Sequence, residues 1–486
     1  MTSTVVVIDG ASLTCAAVAA VARRQADVAV GERAVAAARA AWLTGRDLAA
    51  RQPVYGRNTG VGANHVVDLS EGDRAEHGIR LLRSHAAGTG PLLAAEVARA
   101  LLVVRLNQLG AGGSGVDPAL LPVLADAINR GFTPPVPLYG AIGTGDLTAL
   151  ASTGLCLLGE RAWQGGSGPP PQFSIHTSEA LGFINSSAAT LGDASLACHD
   201  LAALLRCAAP VAALSLFAVH GSVEPYAEAV HLARPHPGQQ RAAASIRALL
   251  AADDFGAARV QDPYGYRAFP QVHGPALDAV GHAEAVLAAE LNGSAENPLI
   301  DVVTPAVWHN GNFHAAYVGL ALDTVRAALF QTAALSVARL GTLMEPSFTG
   351  LNAFLAHDRA SSGVMILEYV AHSAVADIRR FAAPAALGGA VLSRGVEEHA
   401  GFAPQSARAT SDAVAAYRAV LACELIAAAR ALRMQGRPPA EGGALRKAYD
   451  LADSALERTT ADRPLDSDLS AAQGALAGLA ALAPWP

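Results

Sequence analysis

An all-α fold is predicted, a core of long antiparallel helices joined to a mixed N-terminal region that carries active-site loops, and three observations predict it. Apolar residues recur at spacings of three, four and seven over windows far longer than a strand. Alanine and leucine, both strong helix formers that allow close helix packing, dominate those windows. Clusters of glycine and proline punctuate the chain between them, at 110–115, 165–171, 234–238 and 437–443.

Taken in order, the first helix signal of note is the apolar segment Leu147 to Leu158, which follows directly on a glycine-rich loop. The run Ala203 to His220 is strongly apolar, but Arg206 and Pro210 interrupt it and leave it short of a membrane span. Leu277, Val280, Leu287 and Leu291 mark a helix between Pro275 and the Asn292-Gly293 stop. A longer one runs from Val318 to Leu340, with Leu322, Val325, Leu329 and Leu335 near one stripe, and Ser411 to Met434 is similar. The stretch Gly165 to Pro171 reads as an exposed connector between an N-terminal active-site loop region, residues 1–165, and a helical body over residues 172–486. The two are expected to form one intertwined catalytic unit.

Composition narrows the function. Of 486 residues 52% are apolar and 16% charged, so much of the surface of a lone chain would be apolar and subunit interfaces are expected. A net charge of -7 and the lack of a Lys/Arg-rich run exclude a nucleic-acid footprint and favour a small-molecule ligand. Five cysteines, at 15, 156, 198, 207 and 423, form no CxxC pair and read as reduced thiols of a cytoplasmic protein. Met1 to Gly10 shows no secretory signal, and no membrane association is expected. His231 and His236, like His309 and His314, are five apart rather than four, so no metal site is expected.

Polar residues gather in the loops. The stretch Pro137 to Leu150 sets Thr144 among Gly140, Gly143 and Gly145 at the start of a helix, where the dipole is positive; its plainer reading is a turn with Asp146 as cap. Tyr55 sits in Tyr55-Gly56-Arg57-Asn58-Thr59-Gly60-Val61-Gly62, and His85 in Ser84-His85-Ala86-Ala87-Gly88. Gln261, Tyr264 and Arg267 share one stretch, Phe313 and His314 another, and Glu397-Glu398-His399 a third. Singly, each has an ordinary structural reading: a packed tyrosine, a hydrogen-bonded histidine, a salt-bridged arginine, a solvated acidic face.

Together these strings resemble the histidine ammonia-lyase branch of the aromatic amino acid lyase and aminomutase family. Tyr55-Gly56 with Asn58-Thr59-Gly60, Ser84-His85-Ala86, Ile184-Asn185, Ala233 to Gln239, Val260 to Tyr264, Asn297-Pro298-Leu299, Gly311 to Ala315 and Ser362-Gly363 occur in the family's order from about Leu13 to about Gly401. The resemblance implies an all-helical homotetramer whose active sites draw on several subunits, acting on a histidine-like amino acid. It further implies an electrophile, methylidene-imidazolone (MIO), made by cyclisation and dehydration of an Ala-Ser-Gly triad. By the same resemblance Tyr55 is the base for the β-proton, with a pKa expected to be lowered for that task. Arg267 clamps the substrate carboxylate, while Asn185 and Tyr264 orient or polarise groups near the electrophile. Gln261 and Phe313 line the pocket, and His85 with Glu397 meets the imidazole.

The electrophile loop departs from the family's Gly-Ser-Val-Gly-Ala-Ser-Gly-Asp-Leu: here Gly140 to Leu147 is one residue shorter and has no serine. In one register Gly143-Thr144-Gly145 is the triad, and dehydration of Thr144 leaves an extra methyl on the electrophilic carbon. In the other, Thr144 takes the alanine position and the serine is missing. The first register keeps an ammonia-lyase with a Thr-derived ring. The second keeps Tyr55, Arg267 and the His85/Glu397 pocket for an elimination, isomerisation or cyclisation without MIO, and a non-catalytic binding homologue is the remaining alternative.

Overall fold

The computed structural model describes residues 4–62, 71–253 and 256–483, so Met1 to Ser3 of the N-terminal segment lie outside it. Long helices dominate, as the periodicity predicts: Ala188–Ala218, Phe269–Leu291, Ala316–Met344 and Ala403–Met434. By backbone contacts the chain forms two compact units, each drawn from three separate stretches of sequence.

The first unit comprises Met1–His199, Ala283–Asp323 and Pro384–Ser411. Its buried centre is the helix Ala95–Ala111, where Leu101, Leu102, Val103, Val104 and Leu106 are all enclosed. Such a helix is apolar all round and shows no one-sided stripe. Its one fully buried cation, Arg105, pairs with the buried Glu296 at 2.9 Å and donates to the carbonyls of Phe183 and Gly182. Short two-stranded sheets flank this core. Thr4–Ile8 pairs in parallel with Ala26–Val30, Leu299–Asp301 pairs antiparallel with Ala306–Trp308, and Thr89–Leu92 pairs antiparallel with Pro137–Tyr139, just before the glycine-rich loop. The exposed stretch 165–170 lies within this unit, with Gly165 extending a two-residue strand against Phe132.

The second unit comprises Asp200–His282, Thr324–Ala383 and Asp412–Pro486. Two buried polar knots tie its long helices. Glu424 receives a two-pronged ion pair from Arg339 at 2.6 and 2.8 Å and a hydrogen bond from the Ser215 hydroxyl at 2.7 Å. His273 faces the Leu205 carbonyl through Nε2 and the Thr332 hydroxyl through Nδ1, both at 3.0 Å. Burial drives its pKa down to about 3, so the ring is neutral and Nε2 carries the proton that the carbonyl accepts.

Two sequence expectations need correction. Pro275 does not open its helix, which begins at Phe269, and neither Arg206 nor Pro210 interrupts Ala188–Ala218. An internal proline costs a helix about 3 kcal/mol, which packing can offset; the turn before Pro275 is held by the buried His273, and Pro210 is itself buried. The runs Thr177–Ala218 and Ala316–Met344 are long and apolar enough to cross a membrane, although most of the apolar stretch of the first and half of that of the second are buried within the fold.

Candidate active site

A cavity of about 730 Å³ opens in the first unit, and Tyr55, Thr144, Asn185, Phe313 and Glu397 all line it. Residues more than 300 positions apart in the sequence thus reach one space.

Tyr55 is positioned by a self-bonded loop. The Asn58 amide accepts from the Val54 N–H at 2.6 Å and donates to the carbonyls of Ala49 and Gln52 at 3.0 Å each. Gly56 has φ +69°, and a Cβ there would lie 2.1 Å from the Leu181 side chain, so glycine is required. The Tyr55 hydroxyl accepts the Gly62 N–H at 2.7 Å. Its pKa moves opposite to the expectation. Burial raises it above the usual phenol value and the nearby Glu397 raises it further, with the Gly62 N–H alone opposing them.

The Thr144 loop is held from four sides. The Ala141, Ile142 and Gly143 carbonyls accept from the Gln405 side chain at 3.0 Å, the Phe402 N–H at 2.8 Å and the Ala315 N–H at 3.0 Å. Asp146 does not cap its own helix. Its buried carboxylate instead accepts the Thr190 N–H at 2.7 Å and the Thr190 hydroxyl at 2.9 Å, while its own N–H donates to the Ser186 carbonyl. The loop is thereby tied to the start of the helix Ala188–Ala218.

Asn185 donates to the Asn297 carbonyl at 2.9 Å, and the Phe313 carbonyl accepts from Ser187. His85 does not line the cavity; it ends the helix Glu71–His85, where its Nδ1 lies 3.0 Å from both the Leu81 carbonyl and the Ser84 hydroxyl. Gln261, Tyr264 and Arg267 line a second cavity of about 380 Å³, in the second unit. There the Arg267 guanidinium stacks 4.3 Å from the centre of the Tyr264 ring. The buried Arg267 Nε and Gln271 Oε1 have no hydrogen-bond partner among the described residues.

Sequence reasoning missed His309, His314, Glu398 and His399 as lining residues of the first cavity. Of these, His314 stood inside a string that carried the resemblance, and Glu398 and His399 stood in a polar loop stretch beside Glu397; position in such a stretch was the available signal. Among the described residues no group of three or more His, Cys, Asp or Glu is arranged to hold a metal ion.

The fit to MIO can be tested at Gly143. Its φ is +94°, and a Cβ there would lie 2.9 Å from the Ala403 nitrogen and 3.0 Å from the Phe402 nitrogen, both backbone atoms. An alanine methyl has no room, so position 143 does not match the first residue of an Ala-Ser-Gly triad. With Thr144 in the alanine position no residue supplies the β-hydroxyl that dehydration removes, and even the other register yields a methylated ring. The residues present do not fit the methylidene group.

The sequence model of the family "Aromatic amino acid lyase" matches residues 13–454. A probable histidine ammonia-lyase of Halobacterium salinarum is 37% identical, over 97% of this chain and 96% of that one. Among solved structures, histidine ammonia-lyase from Trypanosoma cruzi superposes with a TM-score of 0.90 at 27% identity, covering 99% of this chain and 96% of that one. The ergothioneine-degrading enzyme ergothionase from Treponema denticola, solved in complex with desmethyl-ergothioneine sulfonic acid, does so with a TM-score of 0.89 at 25% identity, covering 98% of this chain and 99% of that one.

Proposed function

The chain belongs to the aromatic amino acid lyase family and is a carbon–nitrogen lyase of the histidine ammonia-lyase kind, and from that premise we propose that it eliminates an amine from a histidine-like amino acid, Tyr55 taking the β-proton. One observation carries the reading: Tyr55, Thr144, Asn185 and Glu397 face a single cavity. None of the described lining residues is Lys or Arg, while Glu397 and Glu398 are present, which suits a ring that is cationic or donates hydrogen bonds. Burial first, and then the Glu397 carboxylate, raise the Tyr55 pKa. Tyr55 is held neutral in the free protein, and a cationic substrate seated beside Glu397 would offset that carboxylate and bring the phenolate within reach.

Arg267 is the proposed clamp for the substrate carboxylate, because a guanidinium matches a carboxylate with two parallel hydrogen bonds and its buried Nε has no partner among the described residues. Gln261 and Tyr264 accompany it in the second cavity. In a homotetramer, the assembly the family resemblance implies, this cluster completes the site of another subunit. Exposed apolar residues support that assembly: Tyr317 and Leu320 on Ala316–Met344, and Ile366 and Tyr369 on Ile366–Phe381. Asn185 orients the reacting groups, Phe313 walls the pocket, and a free amino acid or related carboxylate is the partner. All five cysteines are buried and unpaired, which supports a reducing, cytoplasmic compartment.

A second reading is favoured by the crowding at Gly143 and the methyl on Thr144. Without an electrophile the amine must depart unaided, and a quaternary ammonium does so as a neutral tertiary amine. Histidine-like betaines therefore compete with histidine as substrate, and the similarity to an ergothioneine-degrading enzyme supports testing them.

Intact-protein mass and a substrate panel decide between the two. L-histidine, its N,N,N-trimethyl derivative and ergothioneine are offered, and the conjugated product is followed by ultraviolet absorption. Turnover of histidine with a mass two waters below the sequence value supports ammonia release through a Thr-derived ring; turnover confined to the quaternary substrates with an unmodified mass supports the second. In either case Tyr55→Phe lowers turnover by about 10²–10⁴-fold, and an undiminished rate would remove Tyr55 as base.

A further inference from the structure

His314 and His399 have no part in the roles assigned above, yet they meet on the wall of the same cavity. His314 Nε2 lies 2.9 Å from His399 Nδ1, with ring centres 5.0 Å apart and planes tilted by 39°. Both hang on the segments that hold the Thr144 loop. Ala315, next to His314, donates its N–H to the Gly143 carbonyl, and Phe402, three residues past His399, donates to the Ile142 carbonyl. Gly401 passes so close that a Cβ there would lie 3.2 Å from His314 Cε1. His399 directly follows Glu397 and Glu398, while His85 stays off the cavity altogether.

Two nitrogens 2.9 Å apart share one proton. A neutral pair holds two protons on four nitrogens, so the second proton sits on the outer nitrogen of whichever ring accepts the bridge. The donating ring then presents a lone pair at its own outer nitrogen. Moving the bridging proton from His314 Nε2 to His399 Nδ1, with uptake at His314 Nδ1 and release from His399 Nε2, exchanges the two ends without rotating either ring. Each step breaks one N–H bond as another forms, and charge and proton count are unchanged. Burial, and after it the neighbouring His399, hold His314 below the ordinary imidazole range against a hydrogen bond to its own backbone, which favours the neutral form of that ring.

We propose that the His314–His399 pair, beside Glu397, determines specificity for the substrate's ring, hydrogen-bonding a five-membered nitrogen heteroaromatic and matching either of its tautomers by shifting the bridging proton. This rests on the lyase reading for the identity of the site. A ring nitrogen bearing hydrogen meets the accepting end, a bare ring nitrogen meets the donating end, and a phenyl ring offers neither.

Isothermal titration calorimetry on the full-length protein tests it with L-histidine, 1-methyl-L-histidine, 3-methyl-L-histidine and L-phenylalanine, against His314→Gln, His399→Gln and the double variant, with melting curves as folding controls. The expected result is that each single variant weakens histidine binding about tenfold, the scale of one hydrogen bond to a ligand, and leaves phenylalanine unchanged. The double variant should be no weaker than either single one, because losing either ring dissolves the pair. Where turnover is found, KM rises and kcat stays within about twofold. Equal losses for histidine and phenylalanine, unchanged histidine binding, or additive losses in the double variant would each overturn the proposal. Binding is read without turnover, so a protein that binds the histidine series as expected but converts no amino acid would sink the lyase reading and leave the pair's role standing.

Discussion

At position 143 the backbone is left-handed and presses against two other backbone nitrogens, so the loop that carries Thr144 depends on glycine there. Gly143→Ala is expected to cost about 1–3 kcal/mol, read as a lower melting temperature, whereas Gly389→Ala, where a Cβ meets nothing within 4 Å, should change it little. Asp146, three residues on, has its pKa raised by burial to about 6, only partly opposed by hydrogen bonds from Thr190 and Ala189 and by Arg408. A raised folded-state pKa means that the native protein keeps this proton where the unfolded chain, titrating near 3.8, has released it. The stability contributed by Asp146 is thus fully present below pH 4 and is lost as the pH rises to about 6, a fall of about 3 kcal/mol at 1.36 kcal/mol per unit. Asp146→Asn can keep both contacts to Thr190. Urea denaturation between pH 4 and 7 should show that fall in the parent and a flatter profile in the variant; parallel profiles would show the group to be uncoupled from folding.

At the scale of elements, periodicity placed the long helices well and their starts poorly. The stripes around Leu287 and Leu329 mark faces that are in fact buried, but Pro275 and Pro210 suggested boundaries that packing overrides. Ala95–Ala111 left little trace because a helix buried on every side has no polar face to set its period. Where several long helices meet, Glu424 is the charged residue that holds them. Glu424→Gln leaves Arg339 buried beside a neutral partner and should lower stability by about 3–5 kcal/mol in chemical denaturation. Glu424→Leu combined with Arg339→Met should recover much of that loss, since it removes both charges; a double variant as unstable as Glu424→Gln would show that the ion pair contributes more than mutual neutralisation.

At the scale of the whole molecule, most of the residues expected to act together divide between two cavities, Tyr55, Thr144, Asn185, Phe313 and Glu397 on one and Gln261, Tyr264 and Arg267 on the other, while His85 lines neither. If subunits share sites, Tyr55→Phe and Arg267→Ala are each inactive, yet refolding them as an equal mixture should restore roughly a quarter of the parent activity, since one site in four then draws both native residues. No recovery would place both residues' work within one subunit. If the proposed homotetramer forms through the exposed face of Ala316–Met344, Leu320→Glu should lower the mass read by light scattering and abolish activity along with it, and an unchanged mass would remove that face from the assembly.

The sequence by itself determined the helical class and the family and named candidate site residues, because spacing, composition and the order of short strings are local properties of a chain. It left the register of the Gly140–Leu147 loop open, for a missing serine and a one-residue gap can be matched in two ways. Tertiary structure decided what depends on distant neighbours. The backbones of Phe402 and Ala403 deny Gly143 a methyl, burial and then Glu397 raise the Tyr55 pKa instead of lowering it, and His314 meets His399 across 85 positions of sequence. Each of these is a matter of which atoms lie within a few ångströms, and that is set only when the chain has folded.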